Sequence, residues 1–382
     1  MPELRARAQA ALRAGPLCDH CLGRLLAGVD TGMSNDQRGR IIRAALAAPP
    51  QGGPCALCGG LFDAIDAWIP RAAEALRDWE FDTFAVASHA DPATAGREES
   101  LCQAVGGDLA EPYKQEFNRL LGIRLCRATG RDTDLKDPDI LLLADLATGR
   151  VDLCVEPLFV RGRYRKLARG LPQCRWRPWP TSIQQIVGDP VLRAAGGEDH
   201  FFHGCGREDV DVRCLGERPF VLEVVRPRRR RLDWAALAQE INRPGQVEVL
   251  DLAPCRRGEV ARLKGLRPEK TYRARVQLAA EVEDGRLARL AGLVGPIRQQ
   301  TPTRVLKRRP DLVRDRCVRS LEWRRVGGRT LEVTVRTEAG LYVKELVSGD
   351  GGRTRPSAAL VLGVAAECAE LDVMAIHADD AR

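Results

Sequence analysis

The sequence predicts an α/β protein of two or three domains. Three observations carry this. The chain has 382 residues, against about 100–200 per domain. Two CxxC pairs near the N-terminus are separated by helical sequence. The last ~200 residues alternate short β-rich runs with helical ones. Hydrophobic residues make up 44%, enough for real cores, which excludes a wholly disordered chain. No run of about 18 charge-free apolar residues exists, which excludes a transmembrane helix. The nearest approach, Ser357 to Ala378, is broken by Glu367, Glu370 and Asp372. The opening MPELRARAQAALRAG has no continuous apolar stretch, so no secretory signal peptide is expected.

Residues 1–26 read as a helix, a break at Gly15-Pro16, then Cys18-x-x-Cys21. A helical stretch follows Asn35, and the turn sequence PPQGGP ends it and delivers Cys55-x-x-Cys58. Residues 59–80 read as helical, with Leu61, Ala64, Ile65, Trp68 and Ile69 at helical spacing. FDTFAVAS is a β-rich run, and the polar, Gly-containing residues 90–110 are expected to be partly loop. YKQEFNRLLGIRLC is helical, and DPDILLLADLATGRVDLCVEPLFV reads as two strands parted by Ala147-Thr148-Gly149-Arg150. A basic, acid-free stretch from Arg161 to Arg177 ends in Pro178-Trp179-Pro180, read as a linker. Beyond it, RPFVLEVV and QVEVLDL are strands flanking the helix DWAALAQEIN, and KTYRARVQLAA and TLEVTVRTE are further strands. The expected boundaries are 1–80, 81–177 and 178–382.

Thirteen cysteines, an odd number without a signal peptide, argue against a disulfide scaffold and for a reducing, cytoplasmic setting with a metal site. Cys18, Cys21, Cys55 and Cys58 have the form C-x2-C-x33-C-x2-C. Two thiolates on each of two turns complete a tetrahedron, the preference of structural zinc. A closed four-thiolate site leaves no ligand position open, so no metal catalysis is expected.

Charge points the same way as a nucleic-acid partner. The net charge is +8, and only 7 of the 60 basic residues are Lys. Residues 1–150 carry a net −4 and residues 151–382 a net +12. Arg matches phosphate with a bidentate fork, and a basic C-terminal part suits a polyanion.

Four clusters hold chemistry-bearing residues. Gly206-Arg207-Glu208-Asp209-Val210-Asp211-Val212-Arg213 packs two Arg and three carboxylates into eight residues. A carboxylate held by a cation stays ionised, as a nucleophile or base requires; an exposed charged loop is the other reading. Lys270-Thr271-Tyr272-Arg273-Ala274-Arg275 sets an aromatic beside cations on a strand, fit to stack on a nucleobase; an ordinary amphipathic strand is the alternative. Residues 298–325, with Arg304, Lys307, Arg308 and Arg309, hold ten basic and three acidic residues, a nucleic-acid footprint or a solvated basic face. Gly340-Leu341-Tyr342-Val343-Lys344-Glu345-Leu346 passes from strand to helix and is followed by a glycine-rich turn. No Walker-type loop is present, so NTP binding is unsupported.

Together these pieces resemble the archaeal and eukaryotic tRNA pseudouridine-54/55 synthases, which carry an N-terminal THUMP-containing region. The resemblance covers nearly the whole chain. CDHCLGRLL and CALCGGLFD resemble the family's paired zinc cysteines. DPDI and LFVRGRYRKLARGLPQCRW resemble the end of its THUMP region. GREDVDVR, LGERPFVLEVVRP, KTYRARV, QQTPTRVLKRRPDLVRDR and GLYVKELVSGDGGRTRPS resemble its catalytic part.

The resemblance implies a pseudouridine synthase domain with a mixed, largely antiparallel sheet and a central cleft. It implies that Asp209 is the catalytic aspartate, Tyr272 stacks on the target base, and Lys344 pairs with Asp209. Leu346, in the apolar segment just beyond Lys344, is counted among the substrate-binding residues, and Arg207 is placed on the flipped nucleotide's phosphate. Arg161, Arg163, Arg165, Lys166, Arg304, Arg308 and Arg309 are expected to bind RNA. The implied cofactor is a structural zinc, with no organic cofactor. The implied partner is tRNA, with no membrane, and a monomer is expected. Leu341, Lys307, Ser348 and Cys174 depart from the family's usual Thr, His, His and Thr. None of these touches the catalytic trio. A catalytically silent RNA-binding factor would share the architecture but has no reason to keep Asp209, Tyr272 and Lys344 together. A THUMP-bearing methyltransferase would need a Gly-rich loop after a strand, which is absent.

Overall fold

The structure is a computed structural model and describes residues 2–29 and 32–378. The chain divides into two compact units, one of Met1–Pro157 with Pro227–Arg230, the other of Leu158–Arg226 with Arg231–Arg382.

The first unit opens with helices α1 (Pro2–Arg13), α2 (Asp19–Arg24) and α3 (Asn35–Ala45). Gly23 and Gly39 let α2 and α3 touch backbone to backbone. A Cβ on Gly23 would lie 1.8 Å from the Asn35 carbonyl oxygen, and one on Gly39 2.0 Å from that of Asp19. Helix α4 (Trp68–Leu76) begins later than the helical spacing from Leu61 suggests; the residues before it form turns and a short 3-10 segment, Ile65–Ala67. Strand β1 (Thr83–His89) is followed by α5 (Pro92–Val105) and α6 (Tyr113–Thr129). Residues 90–110, expected to be partly loop, are mostly helix α5, with residues 106–110 outside it. Asp91 caps it by accepting from the backbone N–H groups of Ala93 and Thr94, and Pro92 sits in the first turn, where its missing N–H costs nothing. Its apolar residues form no clean stripe, so periodicity alone misses it.

Strands β2 (Asp132–Thr133), β3 (Ile140–Asp145) and β4 (Val151–Val155) complete a four-stranded sheet in the order β2-β1-β3-β4. The β3–β4 turn lies where the sequence placed it. One core spans this unit, running from Leu17 and the four cysteines through Trp68 and Phe117 to Val155. Residues 1–80 and 81–157 therefore share a core rather than forming two separate modules.

The second unit starts at β5 (Leu158–Lys166), and continues with α7 (Ile183–Ala195), β6 (Asp199–Gly204), β7 (Arg213–Val225), α8 (Trp234–Asn242), β8 (Val247–Cys255) and α9 (Gly258–Gly265). Then come β9 (Glu269–Leu278), α10 (Asp284–Leu287), β10 (Gly295–Gln300), β11 (Val313–Gly327), β12 (Thr330–Thr337), α11 (Val343–Ser348), β13 (Thr354–Arg355), α12 (Ala358–Leu362) and β14 (Ala366–His377). The sheet has ten strands in the order β13-β10-β11-β12-β9-β14-β7-β5-β8, with β6 also on β7. It is mixed and largely antiparallel, because only β14 and β7 run parallel.

The boundary expected at residue 178 lies instead at Pro157/Leu158. Strand β5 is hydrogen-bonded to β7 on one edge and β8 on the other, so its backbone is consumed by the second unit's sheet. Two main cores flank this sheet. One gathers β9, β12 and β14 with α11 and α12, and the other gathers β5, β7 and β8 with α7 and α8.

The edge of β7 opposite β5 explains where the cleft loop stands. β14 pairs it at Arg213 and Cys214, while β6 pairs it from Phe220 to Val225. Between them the two partner strands diverge, and the chain from β6 to β7, residues 205–212, loops out.

Candidate active site and candidate metal centre

Asp209 sits on that loop. The turn begins at Gly206 with φ +73°, a left-handed conformation suited to glycine. The loop's carbonyls are taken up one by one by buried or half-buried donors. Arg218 Nη1 donates to Cys205 O at 2.7 Å, and Gln173 Nε2 to Gly206 O at 2.9 Å. Lys166 Nζ donates to Asp209 O at 3.2 Å and to Val210 O at 2.9 Å. Arg169 Nη1 donates to Asp211 O at 2.7 Å. Glu208 turns inward and meets Arg218 at 2.8 Å, their side chains only 2% and 1% exposed. Glu208 turned inward leaves Asp209 half-exposed.

Two cations, Arg304 and Lys344, meet the two remaining carboxylates. Arg304 Nη1 is 2.8 Å from Asp209 Oδ2, and Lys344 Nζ is 3.6 Å from the same oxygen. Lys344 lies closer to Asp211, at 2.7 and 3.0 Å from its two oxygens. Burial opposes ionisation of Asp211, yet the bond and charge of Lys344 bring it below the usual carboxylate range.

Arg304 is itself held by Glu345 at 2.7 Å, and Glu345 is buried. The turn that carries Arg304 is fixed by Asp350, which accepts from the Thr303 N–H at 2.8 Å. Lys344 is placed by the start of α11, where Gln299 bonds both the N–H and the carbonyl of Tyr342, at 2.8 and 3.0 Å. Tyr272 lies on β9 between Val335 of β12 and Val373 of β14. Burial pushes its phenol up to about 12, so the ring stays neutral and can stack without a charge beside Asp209.

The structure thus brings Asp209, Lys344 and Arg304 together, and the Asp209 charge is felt at Tyr272. It differs from the sequence reading at several residues. Arg304, expected on RNA, is the nearest cation to Asp209. Lys344, expected on Asp209, divides its contacts in favour of Asp211. Leu346 is 2% exposed and belongs to the core with Val343 and Val347, so it has no face for a base. Lys166 is 1% exposed and holds the loop rather than a phosphate; desolvation lowers its pKa, against the pull of Glu208.

Arg163 is paired with Glu217 and Asp251, and Arg165 with Glu217 and Glu248 at 2.6 and 2.8 Å. Arg161 and Arg207 are exposed. Arg308 lies over the Trp176 ring, and Arg309 Nη1 donates to the Tyr342 hydroxyl at 3.1 Å.

Sequence reasoning missed the part of Lys166, Gln173, Glu208 and Arg218 in holding the loop. A signal existed for two of them. Side chains alternate along a strand, so Lys166 falls out of step with exposed Arg161, Arg163 and Arg165, and Arg218 falls in step with buried Phe220, Leu222 and Val224.

The second candidate centre is in the first unit. The sulfurs of Cys18, Cys21, Cys55 and Cys58 all lie within 4.8 Å of one another, and all four residues are buried. Cys18 also caps α2, its sulfur accepting from the Cys21 N–H at 3.4 Å. Gly59 and Gly60, with φ +61° and +92°, turn the chain just after the second pair. Hydrogen bonds from Cys18 and Cys21 hold the Cys58 thiol down to about 7. Four convergent, buried soft donors form a site that could bind a metal.

Two family models match the chain. One described as "Pus10, C-terminal" covers residues 159–377, and one described as "Pus10 THUMP domain, archaeal" covers residues 68–145. Curated relatives named tRNA pseudouridine synthase Pus10 match nearly end to end. That of Methanothrix thermoacetophila is 39% identical over 97% of this chain and 94% of its own length. That of Methanothermobacter marburgensis is 40% identical over 94% and 95%, and that of Pyrococcus furiosus 36% identical over 98% of each. Among solved structures, a chain in a Cbf5-Nop10-Gar1 complex overlaps 55% of this chain and 47% of its own, at 22% identity and a TM-score of 0.33.

Proposed function

The chain belongs to the Pus10 family of tRNA pseudouridine synthases, and from that premise we propose how its residues divide the work. The enzyme isomerises uridine in tRNA to pseudouridine. The reaction is redox-neutral: the C1′–N1 bond breaks, the uracil turns, and a C1′–C5 bond forms. The C5 proton leaves, and a proton is gained at N1. Nothing is consumed, so the protein must supply binding, orientation and one reactive group.

Asp209 is that group. It is a half-exposed carboxylate 2.8 Å from Arg304, on a loop whose carbonyls at Asp209 and Val210 are held by Lys166, and this observation carries the proposal. Its attack on the sugar or base, and abstraction of a sugar proton, are both open to it. Arg304 and Lys344, at 2.8 and 3.6 Å, orient it. Tyr272, neutral, stacks on the uracil once it is taken out of the RNA stack, at a cost of a few kcal/mol. Exposed Arg161, Arg207, Arg308 and Arg309 supply phosphate contacts that offset that cost.

The motif resemblance supports position 54, 55 or both in the TΨC arm as the target. Cys18, Cys21, Cys55 and Cys58 would hold a structural zinc, which would join the entry of α2 to the turn at Cys55 and supply no reaction chemistry. No helix among the described residues is long and apolar enough to cross a membrane. A tRNA substrate and a thiol-rich chain support a cytoplasmic enzyme. A monomer belongs to the same reading. Incubation with unmodified tRNA transcript, followed by mapping of pseudouridine, should find it in the TΨC arm. Product elsewhere would move the target, and no product at all would remove the reading.

A further inference from the structure

Trp176 and Trp179 stand open on the second unit, 48% and 38% exposed. Both lie between β5 and α7, in the segment LPQCRWRPWP, which contains no carboxylate. Buried tryptophans anchor cores; these two do not.

Their neighbourhood is the cleft. Three residues before Trp176, Gln173 donates to the Gly206 carbonyl of the Asp209 loop at 2.9 Å. Two residues before it, Cys174 feels the charge of Arg207. Above the Trp176 ring, 5.2 Å from its centroid, lies the Arg308 guanidinium. Arg308 shares its turn with Arg304, 2.8 Å from Asp209, and Arg309, 3.1 Å from the Tyr342 hydroxyl. Trp176 is thus linked through nearby Gln173 to the Asp209 loop and through Arg308 to the Arg304 turn, and Arg207, Lys307, Arg308 and Arg309 of these segments are exposed.

An open indole under a guanidinium, in a segment without a carboxylate, fits a nucleobase whose phosphates lie at the rim. We propose that Trp176 is a stacking platform for an unpaired base of the tRNA substrate, a neighbour of the uridine taken into the cleft, and that Arg308 covers the ring until that base replaces it. The proposal rests on the tRNA pseudouridine synthase reading. It answers a physical need of that reading: extracting one base leaves its neighbours unstacked, and a second aromatic face restores stacking that Tyr272 cannot give to two bases. The Arg308 guanidinium, displaced from the ring, is then free to meet phosphate.

The test uses the full chain and unmodified tRNA transcript, with Trp176→Ala, Trp176→Leu and Trp176→Phe. Nearly half of the ring is already in water, so melting midpoints should not move. Stacking on an aromatic face sets the expected loss: Kd should rise about tenfold in the Ala and Leu variants and by less than about threefold in the Phe variant. Quenching of tryptophan fluorescence on tRNA binding should be smaller in Trp176→Phe than in wild type. Wild-type affinity in Trp176→Ala, equal affinities for Leu and Phe, or unchanged quenching would each overturn the platform. Pseudouridine formation by the wild type is measured in parallel. If it is absent, the enzymatic reading falls, while the affinity series still judges the platform.

Discussion

Asp209→Asn keeps the shape of the side chain and removes its charge. The loop carbonyls that Lys166, Gln173 and Arg218 hold are untouched, so tRNA affinity should survive to within about tenfold, while pseudouridine formation stops. Asp211→Asn is the control: it frees Lys344 from its nearer partner and should leave measurable turnover. An active Asp209→Asn beside a dead Asp211→Asn would move the catalytic role two residues along. Lys166 acts through the loop, so it is a positioning residue. Lys166→Met should lower the single-turnover rate on the order of a hundredfold, the effect of a displacement of about 1 Å, with Kd for tRNA unchanged. A fall in melting midpoint with an unchanged rate per folded molecule would reduce Lys166 to a structural role. Arg218 separates stability from positioning. Removing it alone strands buried Glu208 and should cost about 3–5 kcal/mol, whereas Glu208→Leu with Arg218→Met should recover much of that, because a buried ion pair is replaceable by apolar groups. Denaturant titration of both variants checks this. The parity of Lys166 and Arg218 along their strands was legible in the sequence. Their partners were not, because the loop they hold has no period to read.

At the scale of elements, the four cysteines join α2 to a turn more than thirty residues on. Elemental analysis of reduced protein should find one zinc per chain. Cys18→Ala should lose the metal and lower the stability of the first unit, with Asp209 chemistry intact. The parallel contact of β14 with β7 has a different lock. Asp372, 4% exposed, receives Arg213 at 2.7 and 2.9 Å and Arg169 at 2.7 Å. Burial opposes its ionisation, but the bond from Arg213 and the charge of Arg169 hold its pKa below the ordinary 3.8. The ionised group therefore favours the folded chain above about pH 4, and that contribution disappears as pH falls through the lower folded value. Asp372→Asn should melt lower at neutral pH and show a shallower loss of stability below about pH 4. A wild-type acid profile in this variant would refute the lock. The segment from Ser357 shows how context decides an element. It is nearly apolar throughout, yet Gly363 at φ +62° ends α12, and β14 follows, with Asp372 turned into the arginines.

At the scale of the whole molecule, net charge overstates the RNA footprint. Many of the arginines of the basic half are already engaged: Arg163 and Arg165 with acidic neighbours, Arg304 with Asp209 and Glu345. A phosphate contact releases counterions only if its cation is free to move to it. Arg161→Ala and Arg207→Ala should each lower the salt slope of tRNA binding by roughly 0.7–0.9 per lost contact. Arg163→Ala and Arg165→Ala should lower it less, because their carboxylates are left behind. Equal slopes for all four variants would show that the ion pairs open on binding.

The sequence by itself determined the α/β class, the strands with clear alternation, the cysteine quartet and the identity of Asp209, Tyr272 and Lys344 as residues to watch. These are written in local signals: a spacing, a period of two, a motif whose members are adjacent. Only the tertiary structure decided which cation sits on Asp209, because Arg304 and Lys344 reach it from 95 and 135 positions away along the chain. Only it decided that Leu346 and Lys166 face inward, and that β5 ends one unit's span and begins the other's sheet. Burial and partner choice are set by which strands hydrogen-bond to which, and that pairing brings together residues that no local period relates.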